Sequence, residues 1–163
     1  MYRGIAFFDL DGVLANCNHR LKYADKDFDK FYSAENIAKD APIKSGLELH
    51  KILVATGYKI VFVTSRREQS RDATEQWLAD NGISIDNKDL YMRKPGDVRE
   101  SYTVKLDLVE EAIQDNIDVY MTSTCNYFVD DYMKNCYAIA KRYASIQTLT
   151  FGVDRINDNG GEL

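Results

Sequence analysis

Short apolar runs alternate along the chain with longer stretches in which apolar residues recur at helical spacing. That is the pattern of βαβ units and of a mostly parallel sheet covered on both faces. Ile5 to Phe8 reads as a buried strand ending at Asp9, Lys59 to Val63 as a second ending at Thr64, and Tyr127 to Val129 as a third ending at Asp130 and Asp131. Gly46 to Thr56 carries Leu47, Leu49, Ile52, Leu53 and Val54 and is closed by Gly57, which marks a helix C-terminus. Arg71 to Asn81 before Gly82, Thr103 to Gln114, and Tyr132 to Tyr143 read as three more helices, and Gln147 to Phe151 as a closing strand. The polar stretch 16–44 predicts a loop with a short helix near Phe28 to Ala38, MRKPGDVRESYTV reads as a loop, and Val119 to Asn126 fits either a strand or a connection.

Composition narrows the class. A chain of 163 residues, 45% hydrophobic and 29% charged, has the balance of one globular domain, placed at 1–156 with an insert at 16–44 and a loose tail at 157–163. No apolar run approaches the roughly 18 residues that span a bilayer, and the start lacks a secretory pattern, so the expectation is a cytoplasmic protein without membrane contact. Cys17, Cys125 and Cys136 are odd in number and form no CxxC pair, which supports neither a disulfide framework nor a structural zinc site. A net charge of −5 argues against a wholly basic nucleic-acid coat but leaves room for a local basic rim.

Candidate chemistry gathers at the strand ends. In FFDLDGVLA an apolar strand delivers Asp9 and Asp11 to the edge of the sheet where α/β folds collect ligands, and Gly12 permits a tight turn that brings both carboxylates over one pocket. One carboxylate can then attack phosphorus while the other protonates the leaving oxygen and later activates water. A lone DxDG is equally a turn that closes a strand. Thr64 offers a hydroxyl and a following N–H to a phosphoryl oxygen, or merely caps a helix; Lys105 offers a cation, or a solvated surface charge. Asp130 and Asp131 suit a hard, oxygen-seeking cation such as Mg²⁺, or a plain turn. Together the four positions point to phosphoryl chemistry much more strongly than any one of them does.

In this order and spacing, Asp9-Leu10-Asp11-Gly12, Thr64, Lys105 and Asp130-Asp131 resemble the haloacid dehalogenase superfamily of phosphatases. The resemblance implies a Rossmann-like three-layer α/β/α fold with a minimal cap. It implies Asp9 as nucleophile, Asp11 as general acid and base, Mg²⁺ held by Asp9, the Asp11 carbonyl and Asp130, and Asp131 behind the metal. TSRRE, the TEQWL helix and MRKPGDVRESYTVK are similar to the 3'-phosphatase domain of polynucleotide kinase-phosphatases. That resemblance makes Ser65, Arg66, Arg93 and Arg99 candidate contacts for substrate phosphates, with Asp97 and Lys105 also on family positions. Ser65 stands where glycine is usual, and no GxxxxGK[ST] loop provides a kinase in this chain.

The expected substrate is a phosphorylated nucleic-acid end. Arg20, Lys22, Arg67 and Arg71 add to a basic set near the predicted pocket, with pairing to Glu68, Asp72, Asp97 or Glu100 as the alternative for each arginine. Tyr23, Phe28, Phe31 and Tyr32 either stack a base or pack the insert onto the domain. His50 is expected at the surface of its helix, and His19 in the loop after Asp11. Rival readings are a phosphatase of free nucleoside monophosphates, a phospho-accepting receiver and a silent binding module. Oligomeric state has no signature in the sequence.

Overall fold

The computed structural model describes residues 2–24 and 26–151. The tail expected at 157–163 lies outside the described residues. Five parallel strands form the central sheet: β1 (Ile5–Phe8), β4 (Lys59–Arg67), β5 (Leu90–Arg93), β6 (Asn126–Asp130) and β7 (Ile146–Thr150), in the spatial order β5-β4-β1-β6-β7. A two-stranded ribbon pairs β2 (Ala15–Asn16) antiparallel with β3 (Ala41–Pro42) and closes the base of the insert.

Strand β1 is buried on both faces because helices cover both. Ala6 and Phe8 face one core with Phe62, Leu53, Trp77 and Leu78, beneath helices α3 (Lys44–Ala55) and α4 (Arg71–Asp80). Ile5 and Phe7 face the other with Val61, Val63, Val104, Leu108 and Ile139, beneath α5 (Ser101–Asp115) and α7 (Met133–Arg142). Successive side chains on a strand point to opposite faces, so a continuous apolar run is what this doubly covered position requires. Each such side chain contributes roughly 1.5–3 kcal/mol by leaving water.

The insert is made of two one-turn helices, α1 (Phe28–Phe31) and α2 (Ala34–Ile37), after a 3₁₀ segment at Asn18–Tyr23. Asp27 and Ser33 cap the two helices by accepting the Lys30 and Asn36 N–H groups. Phe31 and Ile37 are buried, and Ile37 joins the core beneath α3 and α4.

Three expectations are corrected. Leu90–Arg93 is a strand at the sheet edge, short enough for a charged neighbour at each end to hide its apolar pattern. Val119 to Asn126 divides between helix α6 (Ile117–Thr122) and the start of β6. His50 is half-buried rather than on the surface: its ring meets Phe8 edge-on and stacks on Phe62, and burial lowers its pKa.

Candidate active site

The carboxyl ends of β1, β4 and β6 meet at a cavity of about 390 Å³ whose lining includes Asp9, Asp11, Thr64, Ser65, Ser101 and Asp131. Parallel pairing of β1 with both neighbours sets the three strand ends side by side. The Asp9 N–H donates to the Val129 carbonyl at 2.9 Å, which ties the first acidic residue to the strand that carries Asp130.

Gly12 makes the turn after Asp9 possible. Its φ is +81°, and a Cβ there would lie 1.9 Å from an Asp131 carboxylate oxygen, so both the conformation and the space demand glycine. The N–H groups of Leu14 and Ala15 both donate to the Leu10 carbonyl at 2.9 Å and fix the turn.

Lys105 enters from α5 and is fully buried. Its ammonium donates to the Val63 carbonyl at 2.7 Å and stands 2.7 Å from Asp9 Oδ1 and 3.1 Å from Asp130 Oδ2. Burial works against its charge, but the two carboxylates dominate and raise its pKa. The Asp9 carboxyl is pushed up to about 8 by burial, with Lys105 pulling the other way and Asp130 and Asp131 adding to the rise. Asn135 Nδ2 donates to both oxygens of Asp130 at 3.0 Å, and the Tyr132 N–H donates to Oδ1 at 2.8 Å.

One carboxylate oxygen from each of Asp9, Asp130 and Asp131 lies within 4.8 Å of the others. An all-oxygen, anionic donor set fits a hard divalent cation and lacks the nitrogen and sulfur ligands favoured by zinc. Asn135 lines the same cavity, and its buried Oδ1 has no hydrogen bond among the described residues. Asp131 stands beside Asp9 and Asp130 in this group.

Asp11 is held differently. Its Oδ1 accepts from Arg20 NH2 at 2.5 Å, from Arg66 NH2 at 2.6 Å and from Arg66 Nε at 3.1 Å. The two guanidiniums outweigh the effect of burial and lower the Asp11 pKa. Asp40, which is buried, completes a quartet. Its Oδ2 accepts from Arg20 NH2 at 2.7 Å and from Arg66 NH2 at 2.8 Å, and its Oδ1 from Arg20 Nε at 2.8 Å. Two carboxylates facing two guanidiniums balance in charge, which is the condition for burying Arg20, Arg66 and Asp40 behind the cavity-lining Asp11.

The arginines thus depart from the basic rim expected of them. Arg66 is 0% exposed and occupied by Asp11, Asp40 and Thr74, and Arg20 is equally buried. Arg93 donates to the backbone carbonyls of Ser65, Asp97 and Arg99, while Arg99 pairs with Asp97 and Asp107. None of Arg66, Arg93 and Arg99 lines the cavity. Thr64 and Ser65 do, with Ser65 Oγ 2.7 Å from Ser101 Oγ. Asp40 and Asn135 carry no signal in the sequence, because a polar residue outside a strand end has no periodicity and shows its role only by what it touches.

A larger hollow of about 820 Å³ lies beside β5 among Arg71, Asp86, Asp89 and Glu111. Its mixed charges include none of the strand-end residues.

A parallel sheet with this acidic and cationic edge defines a phosphatase of the haloacid dehalogenase type, a phosphoric monoester hydrolase. The family model for the phosphatase domain of polynucleotide kinase PNKP matches residues 4–134, and the chain belongs to that family. A chain in the structure of a Pnkp1/Rnl/Hen1 complex is 22% identical, with a TM-score of 0.70 over 93% of this chain and 46% of its own length. A chain in a second structure, of the Pnkp1/Rnl/Hen1 RNA repair complex, gives 24% identity and a TM-score of 0.71 over 93% of this chain and 43% of that one. A haloacid dehalogenase-like hydrolase from Streptococcus pneumoniae is 13% identical, with a TM-score of 0.62 over 89% of this chain and 82% of its own. At these identities the likeness is one of fold, and this chain spans less than half the length of the two repair-complex chains. No curated protein matches the chain. No helix among the described residues is long and apolar enough to cross a membrane.

Proposed function

We propose that the protein removes 3'-phosphate from polynucleotide ends through an aspartyl-phosphate on Asp9, with Mg²⁺ held by Asp9, Asp130, Asp131 and the Asp11 carbonyl. The observation that carries this reading is the buried Lys105 ammonium set between Asp130 and Asp9, the latter a lining residue of the cavity.

Bound there, Mg²⁺ would screen the charge of the entering phosphate. The Asp9 carboxylate attacks phosphorus in line as the ester P–O bond breaks, and Lys105 holds that carboxylate by its Oδ1. Asp11 gives its proton to the departing 3'-oxygen. Water then attacks the acyl phosphate, its proton goes to Asp11, the P–O bond to Asp9 breaks, and inorganic phosphate leaves. Arg20 and Arg66 orient Asp11 and hold it as the anion the second step needs. The negative charge of a seated ester acts in the opposite sense and raises the proton affinity of Asp11 for the first step. Thr64 and Ser65 take the phosphoryl oxygens, and Arg93 and Arg99 brace the loop that leads to Ser101.

Cleavage of free nucleoside monophosphates is the second reading, favoured by Leu21, Phe31 and Tyr32 of the insert, which wall one side of the cavity. Phosphate release from a 3'-phosphorylated oligonucleotide, compared with 3'- and 5'-mononucleotides in Mg²⁺ and in chelator, decides between them. Asp9→Asn is expected to abolish turnover with the circular dichroism spectrum unchanged, and retained activity would refute the assignment of the nucleophile.

A further inference from the structure

The phosphatase cavity does not end at its acidic wall. Tyr132 and Met133 line it and also line the head of an open groove of about 810 Å³ between α5 and α7. Tyr102 flanks this groove from the first turn of α5, and Tyr137 and Lys141 follow along α7. The face is unusual in two ways. Large side chains stand in water there, with Met133 53% and Tyr137 68% exposed. Lys134, Lys141 and Arg142 line it without any acidic residue, on a chain whose net charge is −5. Among the described residues neither Lys134 nor Lys141 has a salt bridge, and Arg142 only approaches Glu110 at 3.7 Å.

Helix α7 explains the segregation. Asn135, Cys136 and Ile139 turn to the sheet, which leaves Lys134, Tyr137 and Lys141 on the opposite face at helical spacing. Tyrosine rings interleaved with cations suit a single nucleic-acid strand, because any base stacks on an aromatic face and its phosphates meet the cations.

We infer that this α5–α7 groove binds the single-stranded nucleotides that lead to a 3'-phosphorylated end placed in the cavity. The inference rests on the polynucleotide reading above and adds a route for the strand. With 10 residues in α7, the groove runs about 15 Å. That accommodates about four nucleotides at roughly 3.4 Å each. A protein surface is disfavoured as occupant because the groove shares Tyr132 and Met133 with the cavity and its charge matches phosphate.

The test is a length series of 3'-phosphorylated single strands, from the mononucleotide to about twelve nucleotides, with the wild type, Tyr137→Ala and Lys141→Glu. Wild-type kcat/KM is expected to rise with length and level off near four or five nucleotides. Each variant is expected to lose about tenfold on the longer strands through KM, with kcat and mononucleotide rates unchanged. Lys141→Glu is also expected to weaken the salt dependence of KM. Variants that match the wild type at every length overturn the groove and leave the 3'-phosphatase reading intact. A wild type that hydrolyses mononucleotides but no oligonucleotide overturns both. If Tyr137→Ala alters sedimentation while oligonucleotide KM stays fixed, the face belongs to a protein contact and the inference fails.

Discussion

Asp11 and Asp40 share the same two guanidinium nitrogens: NH2 of Arg20 and NH2 of Arg66 each donate to both carboxylates, at 2.5–2.8 Å. Asp40 belongs to the insert and Asp11 to the turn after β1, so this clasp fastens the insert to the catalytic edge. Trp77 Nε1 donates to the Asp40 carbonyl at 2.9 Å and fixes the clasp to α4 as well.

Asp40→Asn leaves two buried guanidiniums facing one carboxylate. We expect a loss of about 3–5 kcal/mol in stability, read as a lower urea midpoint at unchanged slope. At temperatures where the variant is folded, kcat should also fall, because Asp11 loses the frame that orients it. A variant as stable and as active as the wild type would show that the quartet is ornamental.

Lys105→Met removes the cation that stands between Asp9 and Asp130. The expected drop in kcat is roughly 10²–10³, the usual scale for one preorganised electrostatic contact. Initial rates at saturating substrate provide the check.

The raised Asp9 pKa predicts proton release on metal binding. Below about pH 8 the metal-free carboxyl holds a proton that a cation must displace. Calorimetric titration with Mg²⁺ at pH 7 should therefore give heats that vary with the ionisation enthalpy of the buffer, and the variation should vanish near pH 9.5. The sign for stability follows from linkage. The folded carboxyl keeps its proton where the unfolded one has lost it, so this group lowers metal-free stability as pH rises from about 4 to about 8. Mg²⁺ should reverse that trend in thermal melts.

Gly12→Ala sets a Cβ against the Asp131 carboxylate at a φ of +81°. A cost of about 1–3 kcal/mol is expected from the backbone alone. Displacement of Asp131 should weaken Mg²⁺ binding in the same variant, and unchanged affinity in calorimetry would separate Asp131 from the metal.

The sheet was legible where burial on both faces produced unbroken apolar runs, as at Ile5 to Phe8, and the acids and Thr64 at the ends of such runs marked the cavity. Lys105 was legible through family resemblance more than through its surroundings, since nothing in a helix start distinguishes a buried lysine from a solvated one. Strand β5 was hidden because Leu90, Tyr91 and Met92 form too short a run between Asp89 and Arg93 to outweigh the polar residues around them. Arg20 and Arg66 were placed near the site but given the wrong surroundings. Whether an arginine meets a ligand or a carboxylate depends on distances between positions 20, 40 and 66 that only the folded chain supplies.

Pairing between β4 and β5 passes from Thr64–Met92 to Arg67–Arg93, which leaves Ser65 and Arg66 without opposite numbers on the neighbouring strand. The ladder is thus interrupted at the two residues that serve the phosphatase edge. Engineering that regularised this stretch would gain rigidity by withdrawing a cavity hydroxyl and the clasp's second arginine, so activity and robustness are opposed there. Safer gains lie on α3, whose Ile52 and Val54 are exposed and line no part of the cavity, so polar replacement there is expected to leave it untouched.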